Sequence, residues 1–324
     1  MCQLFTFNQI NDEGTMSIKA FVAGHRGLVG RNLCESAPSK YEVMTSEIDL
    51  RDKSIVKAFL SQHMPDVIVL AAARVGGIAA NSRYQSDFLI QNLEIQNSVI
   101  GAARELEINK LLFLGSSCIY PRLAQQPITE NSILTGPLEP TNEGYAIAKI
   151  AGVRLVNAIF QEQGLDYFSL MPTNLYGPYD NFDKESSHVP AALMRKFHDA
   201  KINSTPEVTV WGTGKPLREF MHVRDLADAC WYLLDQKVGG ELINVGTGEE
   251  FAVGDFALLM AKVVGYTGRI TFDTSKPDGT PRKLLDVSKI HSYGWRHRIQ
   301  LEDGLNQTYK WFTEALEKGE VRGY

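Results

Sequence analysis

Short apolar runs alternate with longer amphipathic stretches over the first half of the chain. Helices are predicted around residues 28–37, 53–62, 82–107 and 144–164, and the apolar runs that alternate with them lie in KAFVAG, YEVMT, DVIVLAAA, KLLFLGSS and YFSLMP. Strands that alternate with helices form a parallel sheet covered by helices on both faces. The unbroken apolar character of VIVLAAA and LLFLG fits strands buried on both faces. The pattern therefore predicts an α/β fold with a doubly wound parallel sheet.

The amino-acid composition of the chain changes after Pro172. Glycine, proline and aromatic residues collect in NLYGPYDNF, VWGTGKPLREFMHV and SKPDGTPRK, and a last helix is predicted near 301–318. We expect residues 16–175 to form the sheet domain, with some later segments returning to it. Residues 176–324 are expected to form mainly a smaller C-terminal lobe, and residues 1–15 a flexible extension.

Charge and cysteine content narrow the possible functions. The 324 residues carry 33 basic and 38 acidic side chains, a formal net charge of −5, which argues against a nucleic-acid partner. Cys2, Cys34, Cys118 and Cys230 form no CxxC pair, so neither a disulfide framework nor a metal module is expected. No apolar run is long enough to span a bilayer. We expect a soluble cytoplasmic protein.

Three glycines follow the first predicted strand and open the first predicted helix. In AGHRGLVGRNL, Gly24 permits a tight turn, Gly27 lets a pyrophosphate approach the backbone, and Gly30 lets helix and strand pack closely. The helix N-terminus would then face the phosphates. The motif indicates a Rossmann-type dinucleotide site, with a plain glycine-rich turn as the alternative. The GxxGxxG spacing is typical of extended short-chain dehydrogenases.

The second predicted strand bears on the choice of dinucleotide. It ends in Met44, Thr45 and Ser46, and no acidic residue follows until Glu47. An NAD site often places a carboxylate on the ribose here, whereas an arginine accommodates a 2′-phosphate. With Arg26 free in the glycine loop, the sequence favours NADP(H). The alternatives are that Arg26 is a surface charge and that a shifted loop brings Glu47 to the ribose.

Tyr145 and Lys149 lie four residues apart on the predicted helix, and hence on one face. A nearby ammonium favours the phenolate, so the tyrosine can exchange a proton with a carbonyl or alcohol oxygen. Ser116 and Ser117 follow the fourth predicted strand, where a hydroxyl can hold the same oxygen. A structural YxxxK pair is the alternative, but the order of these signals favours a reductase site.

These residues resemble the extended short-chain dehydrogenase/reductases that act on nucleotide sugars. The likeness runs from about Met16 to about Trp311 through GHRGLVG, AAARVGGI, GSSCIYP, EPTNEGYAIAKIAG, MPTNLYGPYDNF, SHV, WGTGKPLREF and SKPDGTPRKLLDV. Within that family they look like the 3,5-epimerase-4-reductases. The resemblance implies conversion of GDP-4-keto-6-deoxy-mannose to GDP-L-fucose with NADPH, in a homodimer whose interface uses the helices near 82–107 and 144–164.

The resemblance also implies roles for individual residues. Ser116 and Tyr145 would stabilise the C4 oxygen with Lys149, and Cys118 and His188 would be the acid and base of the epimerisations. From the residues alone, Cys118 would more often be a buried core thiol and His188 a helix-start residue hydrogen-bonded to the backbone. The implied cofactor contacts are Gly24, His25, Arg26, Gly27, Leu28, Val29, Gly30, Leu114, Gly115, Ser116, Ser117, Tyr145, Lys149, Pro172, Thr173, Asn174, Leu175 and His188. The implied substrate contacts are Asn174, Lys196, Trp211, Arg218, Asp278 and Lys283.

The sequence leaves alternatives for the roles of three substrate-lobe residues and for the activity of the protein. Trp211 could pack in a core, Arg218 could form a surface ion pair, and Arg195 could replace Lys196 on the diphosphate. A 4,6-dehydratase would need an acidic pair where Ser117, Cys118 and Ile119 stand. A simple C4 epimerase has no use for Cys118 with His188. A non-catalytic NADPH-binding regulator would not need the tyrosine.

Overall fold

The computed structural model describes residues 17–324 except Glu185 and Pro277, so the expected extension at residues 1–15 lies outside the described residues. Six strands form a sheet in which every neighbouring pair is parallel. They are β1 (Ile18–Ala23), β2 (Tyr41–Met44), β3 (Val67–Leu70), β4 (Lys110–Leu114), β5 (Asp166–Pro172) and β10 (Leu242–Val245). Their order is β10-β5-β4-β3-β1-β2. This confirms the predicted Rossmann-type α/β fold.

Helices cover the two faces of this sheet. Those associated with it are α1 (Leu28–Glu35), α2 (Lys53–His63), α3 (Ile78–Arg83), α4 (Gln85–Glu105), α5 (Glu143–Gln163), α7 (Val223–Leu234) and α9 (Ser288–Ser292). Helices α2, α4 and α5 pack side by side, and α1 packs on α7. The central strands β3 and β4 are buried between them, as their apolar runs predict, whereas the edge strand β2 is only partly buried.

The helix predicted over 82–107 is in fact two helices. Tyr84 has φ −124° and ψ 39°, which is not helical, so α3 ends before it and α4 begins after it. A hydrogen bond fixes the segment ahead of α3. The Gly77 N–H donates to the Ser186 carbonyl at 2.9 Å. A side chain at Gly77 would meet Ser187. The segment after β3 is therefore docked on the segment that precedes His188.

A second, smaller core contains most of the remaining elements. These are β6 (Asn174–Tyr176), α6 (Val189–Ile202), β7 (Glu207–Trp211), β8 (Leu217–Arg218), β9 (Phe220–His222), β11 (Phe251–Ala252), α8 (Val253–Val264), β12 (Arg269–Asp273), β13 (Arg282–Lys283) and α10 (Leu301–Glu317). Phe197, Phe256 and Phe312 are fully buried in it. The strands pair in three small sheets, β11-β8-β13, β12-β7 and β6-β9.

The order of the large sheet positions the functional site. From β1 the chain passes to β2 on one side and then crosses to β3 on the other, so the strand order reverses beside β1. Loops at the carboxyl ends of strands diverge at such a point and leave a crevice. Among the described helices, none is long and apolar enough to cross a membrane. Within the same residues, no group of three His, Cys, Asp or Glu side chains is placed to hold a metal ion.

Candidate active site

The glycine loop has the shape that a pyrophosphate needs. Gly24 has φ +99°, and a Cβ there would lie 2.6 Å from the Ala72 nitrogen, while a Cβ on Gly30 would lie 2.1 Å from the Gly24 oxygen. Both positions therefore require glycine. Gly27 differs, because its nearest neighbour would be 3.5 Å away, an ordinary contact. The protein leaves open space at Gly27, directly at the uncapped N-terminus of α1, and this fits a bound dinucleotide.

Arg26 is not free, contrary to the prediction. Its guanidinium lies 2.7 Å from one oxygen of Glu47, and His25 Nε2 lies 3.0 Å from the other. The parallel register of β1 and β2 brings Glu47 beside the glycine loop, although the two are far apart in sequence. Arg26 remains 77% exposed, so a 2′-phosphate could compete for it.

Ser116, Tyr145 and Lys149 converge at the carboxyl end of β4. Lys149 on α5 is buried, and its ammonium donates to the Leu114 carbonyl at 2.8 Å and lies 5.9 Å from the centre of the Tyr145 ring. Burial lowers the pKa of Lys149 to about 7. Burial and the negative charge of Cys118 raise the pKa of Tyr145, and the Ser116 hydroxyl opposes that rise. Tyr145 is thus kept protonated, the form that donates a proton to an oxygen.

Cys118 follows Ser116 in a short turn, where the Ser116 hydroxyl accepts from the Cys118 N–H at 3.2 Å. Asn142 Nδ2 lies 3.2 Å and Lys283 Nζ 3.4 Å from the Cys118 sulfur, and both donate to it. Burial alone would raise the pKa of the thiol. The Lys283 ammonium and the hydrogen bonds from Ser116, Lys283 and Asn142 outweigh burial and lower the pKa. The site therefore favours a thiolate at Cys118.

His188 stands at the N-terminus of α6 and makes no capping hydrogen bond with its side chain. The residue keeps a large solvent-accessible surface, although neighbouring protein atoms surround part of the ring. Loss of hydration lowers its pKa, and the positive charges of Lys283 and Arg322 lower it further. The Lys283 charge lowers the pKa of both His188 and Cys118, so Lys283 lies within electrostatic reach of both side chains.

Two cations lie side by side on the substrate lobe. Arg218 on β8 and Lys283 on β13 are register partners, so their side chains share a face of that small sheet. Burial lowers the pKa of Arg218, whereas the charges of Asp278, Glu139 and Cys118 raise it. Cys118 also opens into a narrow cleft lined by Arg122, Glu139, Asn142, Thr280, Arg282 and Lys283.

The other residues expected to contact substrate are arranged around β7. Trp211 ends this strand and is 61% exposed, which is inconsistent with a core position. The Lys276 ammonium lies 5.5 Å from the centre of its ring. Asp278 accepts from the Thr213 N–H and hydroxyl at 2.7 and 2.8 Å, so its carboxylate fixes the loop after Trp211. The Lys196 ammonium donates to the Thr209 carbonyl of β7.

The Arg195 side chain is hydrogen-bonded to backbone carbonyls of two other segments. Its guanidinium donates to the carbonyls of Phe182 and Gly323 at 2.7 and 2.6 Å. Of this neighbouring pair, only Lys196 has its charged group beside the strand that carries Trp211.

The segment from Pro172 to Leu175 joins the two lobes. The Thr173 hydroxyl and Asn174 Nδ2 both donate to the Glu219 carbonyl, at 3.2 and 2.8 Å. The structure thereby fixes the segment that the resemblance places at the nicotinamide.

Sequence reasoning missed three residues that shape the site: Asn142, Glu219 and Arg322. Asn142 comes three residues before Tyr145 in the quoted motif, so its position could have drawn attention. Nothing in the sequence indicates that Arg322 approaches His188, or that the Glu219 carboxylate accepts from backbone N–H groups of two distant segments.

The fold and this geometry define an enzyme of the extended short-chain dehydrogenase/reductase class. The chain belongs to the NAD dependent epimerase/dehydratase family, whose model matches residues 20–246. It is 53% identical to GDP-L-fucose synthase 1 of Arabidopsis thaliana over 95% of this chain and 97% of that protein. It is 50% identical to GDP-L-fucose synthase of Escherichia coli K12, over 93% and 98% of the two chains. A GDP-L-fucose synthetase from Naegleria fowleri bound to NADP matches with a TM-score of 0.83 and 27% identity, over 94% and 97% of the chains.

Proposed function

We propose that this chain is an NADPH-dependent 3,5-epimerase-4-reductase that converts GDP-4-keto-6-deoxy-D-mannose to GDP-L-fucose. The observation that carries this proposal is the Cys118 sulfur, held by Asn142 and Lys283 beside the Ser116–Tyr145–Lys149 group. A reductase or a regulator would need no activated thiol there. A 4,6-dehydratase would need an acidic pair where Ser117, Cys118 and Ile119 stand.

A single ketone explains how one site serves three bond changes. The C4 carbonyl acidifies the hydrogens on C3 and C5, because each carbanion is delocalised onto the same oxygen. Ser116 and Tyr145 would stabilise that oxygen by hydrogen bonds. Reduction at C4 must come last, since it removes the group that makes C3 and C5 acidic.

The charges of the site fit this order of events. Cys118, with its lowered pKa, would suit proton removal from carbon, and His188 would return a proton from the other face. Burial, together with the negative charge of Cys118, raises the pKa of Tyr145 and keeps the phenol protonated. Tyr145 then protonates the C4 oxygen, and Lys149 stabilises the resulting phenolate.

NADPH, when bound, supplies the hydride for C4. Gly24, Gly27 and Gly30 with the start of α1 would hold its pyrophosphate, and Arg26 would meet the 2′-phosphate in competition with Glu47. Two segments would lie along the nicotinamide, Leu114–Ser117 and Pro172–Leu175.

The GDP group would bind to the smaller lobe. Trp211 offers an exposed aromatic plane for the base, and Arg218 with Lys283 offers two positive charges for the diphosphate. Lys196 would add a third. Asp278 would act mainly by fixing the loop after Trp211.

The direct test is to incubate the protein with GDP-4-keto-6-deoxy-D-mannose and NADPH and to identify the sugar by NMR. We expect GDP-L-fucose in a one-to-one ratio with NADPH consumed. Tyr145→Phe should lower reduction by about a hundredfold or more and retain NADPH binding. Formation of an unepimerised alcohol, or binding of NADPH without its oxidation, would contradict the proposal.

Assembly and location remain predictions. We expect a homodimer through α4 and α5, where Ile90 and Ile147 are exposed on the outer surface. Light scattering would test this. The expected cytoplasmic setting stays a prediction from the cysteine pattern.

A further inference from the structure

Asn142 occupies a helix-start position that it does not use in the ordinary way. An asparagine before the first turn of a helix usually accepts a hydrogen bond from a backbone N–H of that turn. At the start of α5, Asn142 makes no such bond, and its Nδ2 instead lies 3.2 Å from the Cys118 sulfur. The side chain is thus turned away from the helix and toward the thiol.

The other end of the same amide is unsatisfied. Asn142 Oδ1 is buried and has no hydrogen-bond partner. A buried acceptor without a donor costs free energy, and such a group in a folded protein needs a reason. A substrate hydroxyl in the cleft that Asn142 and Cys118 both line would supply the missing donor.

We propose that Asn142 is a positioning residue: its Nδ2 orients the Cys118 sulfur, and its Oδ1 accepts a hydrogen bond from a hydroxyl of the bound hexose. The second half rests on the proposed function, whereas the first half concerns the protein alone. One rigid amide would then fix the distance between the sulfur and the sugar carbon that it deprotonates.

A neutral amide is suited to this position because the surroundings of the sulfur are already charged. Lys283 supplies the positive charge that favours the thiolate, and it also acts on His188. Asn142 adds a donor without adding charge. The charged and titratable groups that face the thiol or its cleft are Lys283, Arg218, Tyr145, Arg122, Glu139 and Arg282.

The first half is tested without substrate by the rate of iodoacetamide alkylation of Cys118 as a function of pH, followed by mass spectrometry of its peptide. In Asn142→Ala we expect the thiol pKa to rise, so that alkylation at pH 7 slows about three- to tenfold. Asn142→Asp should raise the pKa further, because a carboxylate opposes the thiolate. Glu143→Gln, an exposed neighbour on the same helix, is the matched control and should match the wild type.

The second half is tested by kinetics with the ketosugar. In Asn142→Ala we expect deuterium uptake from heavy water to fall about tenfold or more and the KM for the ketosugar to rise about fivefold. Asn142→Ser, measured alongside, retains a small polar side chain and guards against misfolding of the alanine variant. The melting temperature should not fall in either variant, because Asn142 does not cap α5.

An unchanged thiol pKa in both folded variants would overturn the first half. An unchanged KM with normal deuterium uptake would overturn the second. If the wild type makes no GDP-L-fucose yet its thiol pKa depends on Asn142, the proposed function fails and the role of Asn142 at the sulfur stands.

Discussion

At the residue scale, Glu47 sets the charge at the edge of the cofactor site. Its two carboxylate oxygens pair with His25 and Arg26, and the carboxylate itself is 62% exposed. A 2′-phosphate that binds here would meet Arg26, which is already paired, and the negative charge of Glu47. The Glu47 carboxylate therefore weakens the electrostatic attraction of Arg26 for a 2′-phosphate.

Replacing Glu47 with Gln should release Arg26 and remove a like charge. We expect NADPH affinity to rise about three- to tenfold, in keeping with an exposed ion pair, while NADH affinity stays level or falls. Fluorescence titration with each cofactor measures both. Glu42→Gln, an exposed carboxylate on β2, is the control and should change neither affinity. Equal gains for NADPH and NADH would show that Arg26 does not meet the 2′-phosphate.

The sequence predicted individual site residues better than it predicted their contacts. The glycine spacing predicted the turn correctly because the need for glycine at Gly24 and Gly30 arises from neighbouring backbone. The free state of Arg26 was wrongly predicted, because its partner Glu47 arrives through the pairing of β1 with β2. Site positions such as Cys118, Tyr145 and Lys149 were indicated by motifs, but the contacts that tune them come from Asn142 and Lys283.

At the element scale, a short segment after α10 braces the loop that carries His188. The Arg322 carbonyl accepts from the Phe182 N–H at 2.9 Å, and the Tyr324 ring lies 4.3 Å from the Arg195 guanidinium carbon. The Tyr324 hydroxyl donates to Asp199 on α6. This segment thus touches both the loop and the helix that begins after His188.

Arg322→Gln should change the titration of His188 while keeping this backbone in place. The arginine charge lowers the pKa of His188, so its removal should raise that pKa. The pKa should still lie below the ordinary histidine value, because loss of hydration and Lys283 remain. NMR titration of labelled histidine, assigned with His188→Asn, measures the shift. Lys318→Gln at the end of α10 is the control, and identical titration in all three proteins would refute the effect.

The elements themselves were unevenly predictable. Five of the six parallel strands were indicated by short, mainly apolar runs between amphipathic helices. The sixth, β10, was covered only by the expectation that later segments return to the sheet domain. The two-residue strands β8, β11 and β13 are too short to show a period, and β8 meets β13 across more than sixty residues of chain. The break at Tyr84 was missed, as was the contact between Gly77 ahead of α3 and the distant Ser186.

At the scale of the whole molecule, Glu219 fastens the two lobes together. This fully buried residue lies between β8 and β9 of the smaller lobe. Its Oε1 accepts from the N–H groups of Thr247 and Gly248, just after β10 of the large sheet, at 2.6 and 2.8 Å. Its Oε2 accepts from the Leu285 N–H at 3.1 Å, two residues after Lys283. Burial raises the pKa of Glu219, and the hydrogen bonds from these backbone N–H groups oppose that rise.

Glu219→Gln should therefore weaken the junction at one point. The amide keeps one acceptor oxygen, but its NH₂ group faces a backbone N–H that then has no acceptor, which costs roughly 1–3 kcal/mol of unfolding free energy. Because the same carboxylate fixes the segment that carries Lys283, the affinity for GDP should fall several-fold. The affinity for NADPH should hold, since the glycine loop does not contact Glu219. Urea unfolding and two ligand titrations separate these effects.

Glu249→Gln supplies the control, because this exposed carboxylate lies on the same loop as Thr247 and Gly248. It should leave stability and both affinities within error of the wild type. A variant of Glu219 that loses NADPH and GDP binding equally would point to general unfolding. The Glu219 variant should lose GDP binding alone, and its urea unfolding should stay cooperative with a lower midpoint. This result would mean that the carboxylate sets the position of the smaller lobe over the cofactor. That result would explain why a charged group is retained at the buried meeting point of two cores.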